Sequence, residues 1–230
     1  MKQYKWEIVK RGHDNILEKK TIGYDLEDLI FRNLLEIGEG TIIDEGVILC
    51  HPLANGNIAG RLKIGKNCKI RSGTVFYCDV EIGDNCTFGH NAVVRECCRI
   101  GNNTSIGTLV SVENNTIIGN NVSVETAAHI TGHATIEDYV FIGGFVGSTN
   151  DLTMKYRREG HGKGLKGATI KYGARIGSGA ILMPGIIIGE YSIINAGEVV
   201  RKDAPARHLM FTEKNEVIYK PLTNIEEIKK

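Results

Sequence analysis

From Ile64 onward a large apolar residue returns every six positions: Ile64, Ile70, Phe76, Ile82, Phe88, Val94, Ile100, Ile106, Val112, Ile118, Val124, Ile130, Ile136 and Ile142. The register breaks at Ser148 and resumes at Ile170, Ile176, Leu182, Ile188, Ile194 and Val200; an earlier fragment reads Ile37, Ile43, Leu49. Two residues before most large positions stands a small or β-branched one, among them Cys68, Thr74, Cys86, Ala92, Cys98 and Thr104. Such a period fits neither a helix, at about 3.6, nor a half-buried strand, at about 2. It fits short strands joined by tight turns, with the large and the small residue pointing inward and the residue between them pointing out. Glycines after the large residue (Gly65, Gly83, Gly101, Gly119) and the pairs Asn102-Asn103 and Asn120-Asn121 suit positive-φ turns. The expected fold is all-β: a parallel β-helix, three hexapeptides to a triangular coil, with residues 18 apart in stacking contact.

The 230 residues and net charge of +1 predict one domain and argue against a nucleic-acid surface. No apolar run is long enough to span a membrane, and the start, MKQYKWEIVKRG, lacks the apolar core of a signal peptide. Of six cysteines, Cys68, Cys86 and Cys98 fall on the inward small-residue track, and none shows zinc-site spacing. The expectation is a cytoplasmic protein with free thiols.

Residues 1–36 precede the repeat and are expected to cap it, with a helix over Asp25–Leu35 and Asp25 as N-cap. The β-helix spans 37–207, with an outward loop from Cys50 to Arg61. From Ser148 to Ile170 is a step of 22 residues, four more than a coil; the basic, Gly-rich stretch 151–167 is read as a lid or binding loop. Residues 208–230 are expected to form a hairpin and a final helix with Thr223 as N-cap.

In a solenoid the inward positions pack, so chemistry belongs to the turns. Glu96, Asn114 and Asn150 share one corner at multiples of 18, with Gly132 between the last two. His133 and Asp151 stand one position further round, and His129 points outward on the strand leading in. Convergent polar groups beside a loop mark a candidate site. His90 and Asn91 occupy a different corner.

The pattern resembles the hexapeptide-repeat acyltransferases, left-handed parallel β-helices, over roughly residues 37–207. The resemblance implies the left hand, an exception to the usual right-handed crossover, and a homotrimer with sites between neighbouring helices. His90 of one chain would then face the Glu96 corner of another. Ile130-Thr131-Gly132-His133 through Ile142-Gly143-Gly144 is similar to lipid A and sugar acyltransferases; one coil earlier Asn114 stands where many of those enzymes carry a catalytic His. Ile170 to Arg207 is similar to the late coils of nucleotide-sugar N-acyltransferases and sugar O-acetyltransferases, and Asn150-Asp151 followed by a loop to the nucleotide-sugar group. The usual G-N-P-A-R ending is absent; Ala206-Arg207-His208-Leu209 stands there. The resemblance implies acetyl-CoA or another acyl-CoA along Gly143, Gly144, Ala180 and Gly197, with Lys202 and Arg207 on its phosphates; no metal is expected.

The expected reaction is acetyl transfer from acetyl-CoA to an amino group of a nucleotide-linked sugar. His90 or His133 suits a base. Glu96 suits holding the amine or orienting a His, and Asn114 suits an oxyanion donor. Asn91, His129, Asn150 and Asp151 are the acceptor-binding candidates. Three alternatives stay open: O-acetylation of a sugar hydroxyl, a γ-type carbonic anhydrase using His90, His129 and His133 on zinc, and a non-catalytic solenoid scaffold.

Overall fold

The computed structural model describes residues 4–11, 14–21, 26–53, 60–154, 164–214 and 216–223. The repeat winds into a left-handed parallel β-solenoid of about 8 turns. Face A runs from Leu35–Ile37 to Ile187–Ile188, face B from Ile42–Ile43 to Ile193–Ile194, and face C from Ile48–His51 to Val199–Val200. Through the uninterrupted coils partners are 18 apart on every face: Arg99, Ile117 and Thr135 on A, Thr87, Ser105 and Ser123 on B, Ser111 and His129 on C. Most strands in the coils are two or three residues long, too short to persist alone; the stack above and below holds them.

The large residues fill the centre, with Phe76 and Ile142 fully buried and Phe76 edge-on to Phe88 at 4.9 Å. Ser148 corrects the expected break in register. It is 5 % exposed on the inward track, accepts a 2.8 Å bond from Thr131 N and donates to His129 O. A hydroxyl replaces the apolar residue without moving the strand because both of its bonds are satisfied.

The small inward track has a second purpose. The first carbonyl of each turn lies outside the strand ladder and needs a donor. Thr74, Cys86, Cys98 and Thr104 supply it from 15 residues earlier, reaching Gly89 O, Gly101 O, Glu113 O and Gly119 O at 2.9, 3.1, 3.1 and 2.9 Å. Thr104 Oγ1 also accepts from Val122 N at 3.2 Å. Thr104→Val keeps the shape and strands both partners, so chemical denaturation should show a loss of about 1–3 kcal/mol, with Thr104→Ser largely recovering it. Equal stability of the Val variant would mean the carbonyl needs no donor.

The third residue of each turn takes positive φ: Asn67, Asn85, Asn103 and Asn121 at the A/B corner lie at 55–57°. The second residue points along the axis. Asp84, Asn102, Asn120 and Asp138 each accept from the backbone N–H of the coil before, at 2.7–2.8 Å. Stacked turn carboxamides are therefore first of all coil-to-coil fasteners.

The N-terminal helix is shorter than expected, Leu26–Phe31. Asn33 at φ 57° and the Leu34 N–H to Leu29 O bond end it, and Leu35 already belongs to face A. Leu29 joins the core while Phe31 is exposed. Tyr4–Arg11 and Asp14–Thr21 form an antiparallel hairpin that the repeat argument does not anticipate. His208–Glu213 and Glu216–Pro221 form a second hairpin that extends the face B sheet. Asp25, residues 155–163 of the loop, and the expected final helix beyond Thr223 lie outside the described residues.

Candidate active site

The C/A corner gathers Glu96, Asn114, Gly132 and Asn150 on successive coils. Asn115 N–H donates to Glu96 O, His133 N–H to Asn114 O and Lys166 N–H to Asn150 O, at 3.0–3.1 Å. The Asn150 carboxamide donates to Gly132 O at 3.2 Å, fastening coil to coil in the direction opposite to the A/B corner, where the turn side chains accept. A Cβ on Gly132 would lie 2.9 Å from both oxygens of Asn114. Glycine at this level therefore leaves room for the Asn114 carboxamide, which is half-buried.

His133 takes φ 64°, a costly conformation for a bulky residue, and its side chain is exposed. The returning end of the 151–167 loop packs on its backbone: a Cβ on Gly167 would lie 2.6 Å from the His133 carbonyl carbon. His129 is exposed on the face C strand just before this corner. Asp151 Oδ1 accepts from Thr153 N and Oγ1, at 2.8 and 2.7 Å, folding the loop's first residues into a turn. At the loop base Asn150, Asp151, Thr153, Lys166, Pro184 and Gly185 are among the residues lining a cavity of about 240 Å³.

Glu96 is not free. Arg95 grips it with two bonds, Nε to Oε2 at 3.1 Å and Nη2 to Oε1 at 2.9 Å. The third arm, Nη1, reaches Glu113 Oε2 on the next coil at 3.1 Å. The thiol next to it, Cys97, is pushed up by burial and by its hydrogen bond to Asp79; burial pushes Cys98 up to about 12. Neither supplies a thiolate nucleophile.

The remaining candidates divide between the other corners. His90 and Asn91 lie at the B/C corner, both exposed, with His90 Nδ1 2.9 Å from Ser72 Oγ. Gly143, Gly144 and Gly197 share that corner, and Gly143 is required by stacking, since a Cβ there would meet Ser178 N at 2.6 Å. Ala180 is fully buried on the inward track, which takes its side chain away from any cofactor and corrects that expectation. Lys202 follows Val200 into the C/A corner, whereas Arg207 lies at the A/B corner, its guanidinium 5.1 Å above Tyr191. Within one chain these two cations do not converge. Tyr191 continues into Tyr172 and Tyr139 at 5.5 and 5.4 Å, an aromatic stack the residue pattern alone did not single out. A shallow groove of about 470 Å³ on face A, between Lys63, Glu81, Arg99 and the Gly65–Gly119 column, holds none of the candidates.

His90 stands one corner away from His133, and among the described residues no three or more His, Cys, Asp or Glu groups are placed to hold a metal ion. Among them, too, no helix is long and apolar enough to cross a membrane.

Two segments match families of known proteins: residues 61–96 match "Bacterial transferase hexapeptide (six repeats)" and residues 169–202 match "Hexapeptide repeat of succinyl-transferase". A Schizosaccharomyces pombe protein whose name places it among acetyltransferases is 44 % identical over 62 residues, 27 % of this chain and 30 % of that protein. The match thus spans under a third of that relative's length. Among solved structures, the UDP-N-acetylglucosamine acyltransferase of Bacteroides fragilis superposes with a TM-score of 0.60 at 19 % identity, covering 81 % of this chain and 69 % of that one. A Bacillus cereus protein, also named as an acetyltransferase, gives 0.49 at 24 % identity over 78 % and 86 %. At these identities the structural likeness is one of fold.

Proposed function

We propose that this chain, a member of the hexapeptide-repeat transferase family, moves an acetyl group from acetyl-CoA to an amino group of a nucleotide-linked sugar. The observation that carries the reading is the C/A corner: a half-buried carboxamide, Asn114, an exposed imidazole, His133, and Asn150, which lines a cavity at the base of the 151–167 loop, stand on successive coils. A plain scaffold has no use for that convergence. The acceptor enters under the loop, against Asn150 and Asp151. His133 takes the proton from the attacking amine, and Asn114 donates to the oxygen of the thioester as charge develops there. The nitrogen–acyl bond forms, the carbon–sulfur bond breaks, and the proton leaves with the CoA thiol. The test is acetyl-CoA consumption against a panel of nucleotide-linked amino sugars, the same sugars carrying only hydroxyls, and simple sugars. Turnover confined to hydroxyl acceptors would make it an O-acetyltransferase; none at all would sink the reading.

The working form is a homotrimer in the cytoplasm. Supporting the trimer, Ile117 and Ile181 are exposed on faces A and C, and Leu109 and Phe145, 57 % and 70 % exposed, crown the B/C corner in the left-handed conformation. Large apolar groups held outward in that way gain from a neighbour. Light scattering at micromolar concentration should give three times the chain mass, and a monomer would exclude it. Replacing 151–167 by a short Gly-Ser turn should leave the trimer folded, because the flanking coils pair directly through Thr135 and Thr169. It should raise the acceptor KM and lower kcat while sparing the KM for acetyl-CoA. Unchanged kinetics would make the loop a surface insertion.

A further inference from the structure

The turn beneath Asn114 is built differently from its neighbours. Its first two residues are an Arg and a Glu locked to each other, whereas the next coils carry Glu113-Asn114, Thr131-Gly132 and Thr149-Asn150. Each nitrogen of the Arg95 guanidinium has a carboxylate partner. Glu96 takes two bonds, Glu113 takes one from the coil above, and the Tyr77 ring lies 5.6 Å below. Tyr77 is itself backed by His51 at 4.8 Å. Partial burial works against the Arg95 charge, but the bonds and fields of Glu96 and Glu113 outweigh it and raise the guanidinium pKa. The Glu96 side chain is 17 % exposed although it sits in a turn.

Exposed ion pairs add little to stability, so that alone gives small reason for such a construction. A fork on a carboxylate does something else: it removes both torsional freedom and the choice of which oxygen points where. The fork leaves one outer lone pair on each Glu96 oxygen, and it fixes the orientation of both, one coil from Asn114.

Resting on the acyl-transfer reading above, we propose that Arg95 is a positioning residue of the acceptor site, aiming the Glu96 carboxylate so that it receives an N–H of the acceptor. Arg95 touches neither substrate nor reacting atoms; it acts through Glu96. Glu113 anchors the third arm and leaves the fork to Glu96.

The test is a double-mutant cycle on steady-state kinetics with Arg95→Met, Arg95→Lys, Glu96→Gln and the Arg95→Met/Glu96→Gln pair, using the acceptor that the panel identifies. Arg95→Met should raise the acceptor KM or lower kcat to a combined loss on the order of 10-fold in kcat/KM, with the KM for acetyl-CoA unchanged. Arg95→Lys, which keeps the charge and loses the fork, should recover little of it. In the Glu96→Gln background the same Arg95 change should cost nothing more. Full additivity, or an equal rise in the KM for acetyl-CoA, overturns the proposal, since either would mark a general structural role. Trimer mass and circular dichroism of each variant separate unfolding from positioning, and Arg95→Lys carries the test should Arg95→Met fail to fold. An active wild type with an additive cycle overturns this inference alone; a wild type with no transfer to any acceptor overturns the functional reading and this inference with it.

Discussion

Asn114→Ala is expected to lower kcat by on the order of 10²-fold while leaving the KM for acetyl-CoA near its wild-type value. The carboxamide stands at the level where Gly132 provides space, and Asn150, one coil beyond, donates to the Gly132 carbonyl. Asn114 can thus offer its N–H₂ to a developing oxyanion without first breaking a packing contact. Asn114→Asp should be at least as damaging, because it replaces a donor by a negative charge facing the negative charge of the transition state. Gly132→Ala supplies an independent check. Its Cβ would press on a backbone oxygen of Asn114 as well as on Oδ1, so relief requires the turn to shift. It should lose activity in the same parameter, kcat, with the trimer intact. A kcat for Asn114→Ala within a few-fold of wild type would reduce Asn114 to one more fastener of the kind formed by Asn102 and Asn120.

That ambiguity shows what the residue pattern could and could not reveal. The inward track was legible because every sixth residue is large and a triangular coil maps six positions onto one face; Ile64, Ile82 and Ile100 stack down face A as the spacing demands. Ser148 escaped because its polarity conceals an inward role: the slot selects on size together with satisfied hydrogen bonds. The alignment of Glu96, Asn114 and Asn150 was legible for the same arithmetic reason. How each side chain is used was not: Asn150 is bonded to Gly132 O and Glu96 to Arg95, and neither follows from spacing. Arg95 itself could have been found, since its neighbour and the residue 18 later are both carboxylates. Counting would also have separated Lys202 from Arg207, as they fall in successive turns. The N-terminal hairpin lay outside a solenoid argument altogether. Its basis is local, two short runs, Tyr4–Arg11 and Asp14–Thr21, that pair with each other.

His133→Gly should move activity and stability in opposite directions. At φ 64° a histidine carries backbone strain that glycine does not. Its side chain is exposed, and its backbone N–H bond to Asn114 O survives any substitution but proline. Thermal unfolding should therefore occur at the same temperature or slightly higher in the Gly variant. If the imidazole is the base, kcat should fall on the order of 10²- to 10⁴-fold. His133→Asn, which tolerates the left-handed conformation and cannot act as a base, should match the loss. The third turn residue at the A/B corner is Asn at four levels but Tyr at 139 and 191, so the left-handed conformation by itself does not single out His133. His90, at the other corner beside Ser72, is the competing base, and His90→Ala run in parallel decides between them. A large loss on His90→Ala with full activity in His133→Gly would move the proton transfer to the B/C corner. It would then have to reach the acceptor from a neighbouring chain, and His90→Ala chains mixed with Glu96→Ala chains should regain activity as heterotrimers.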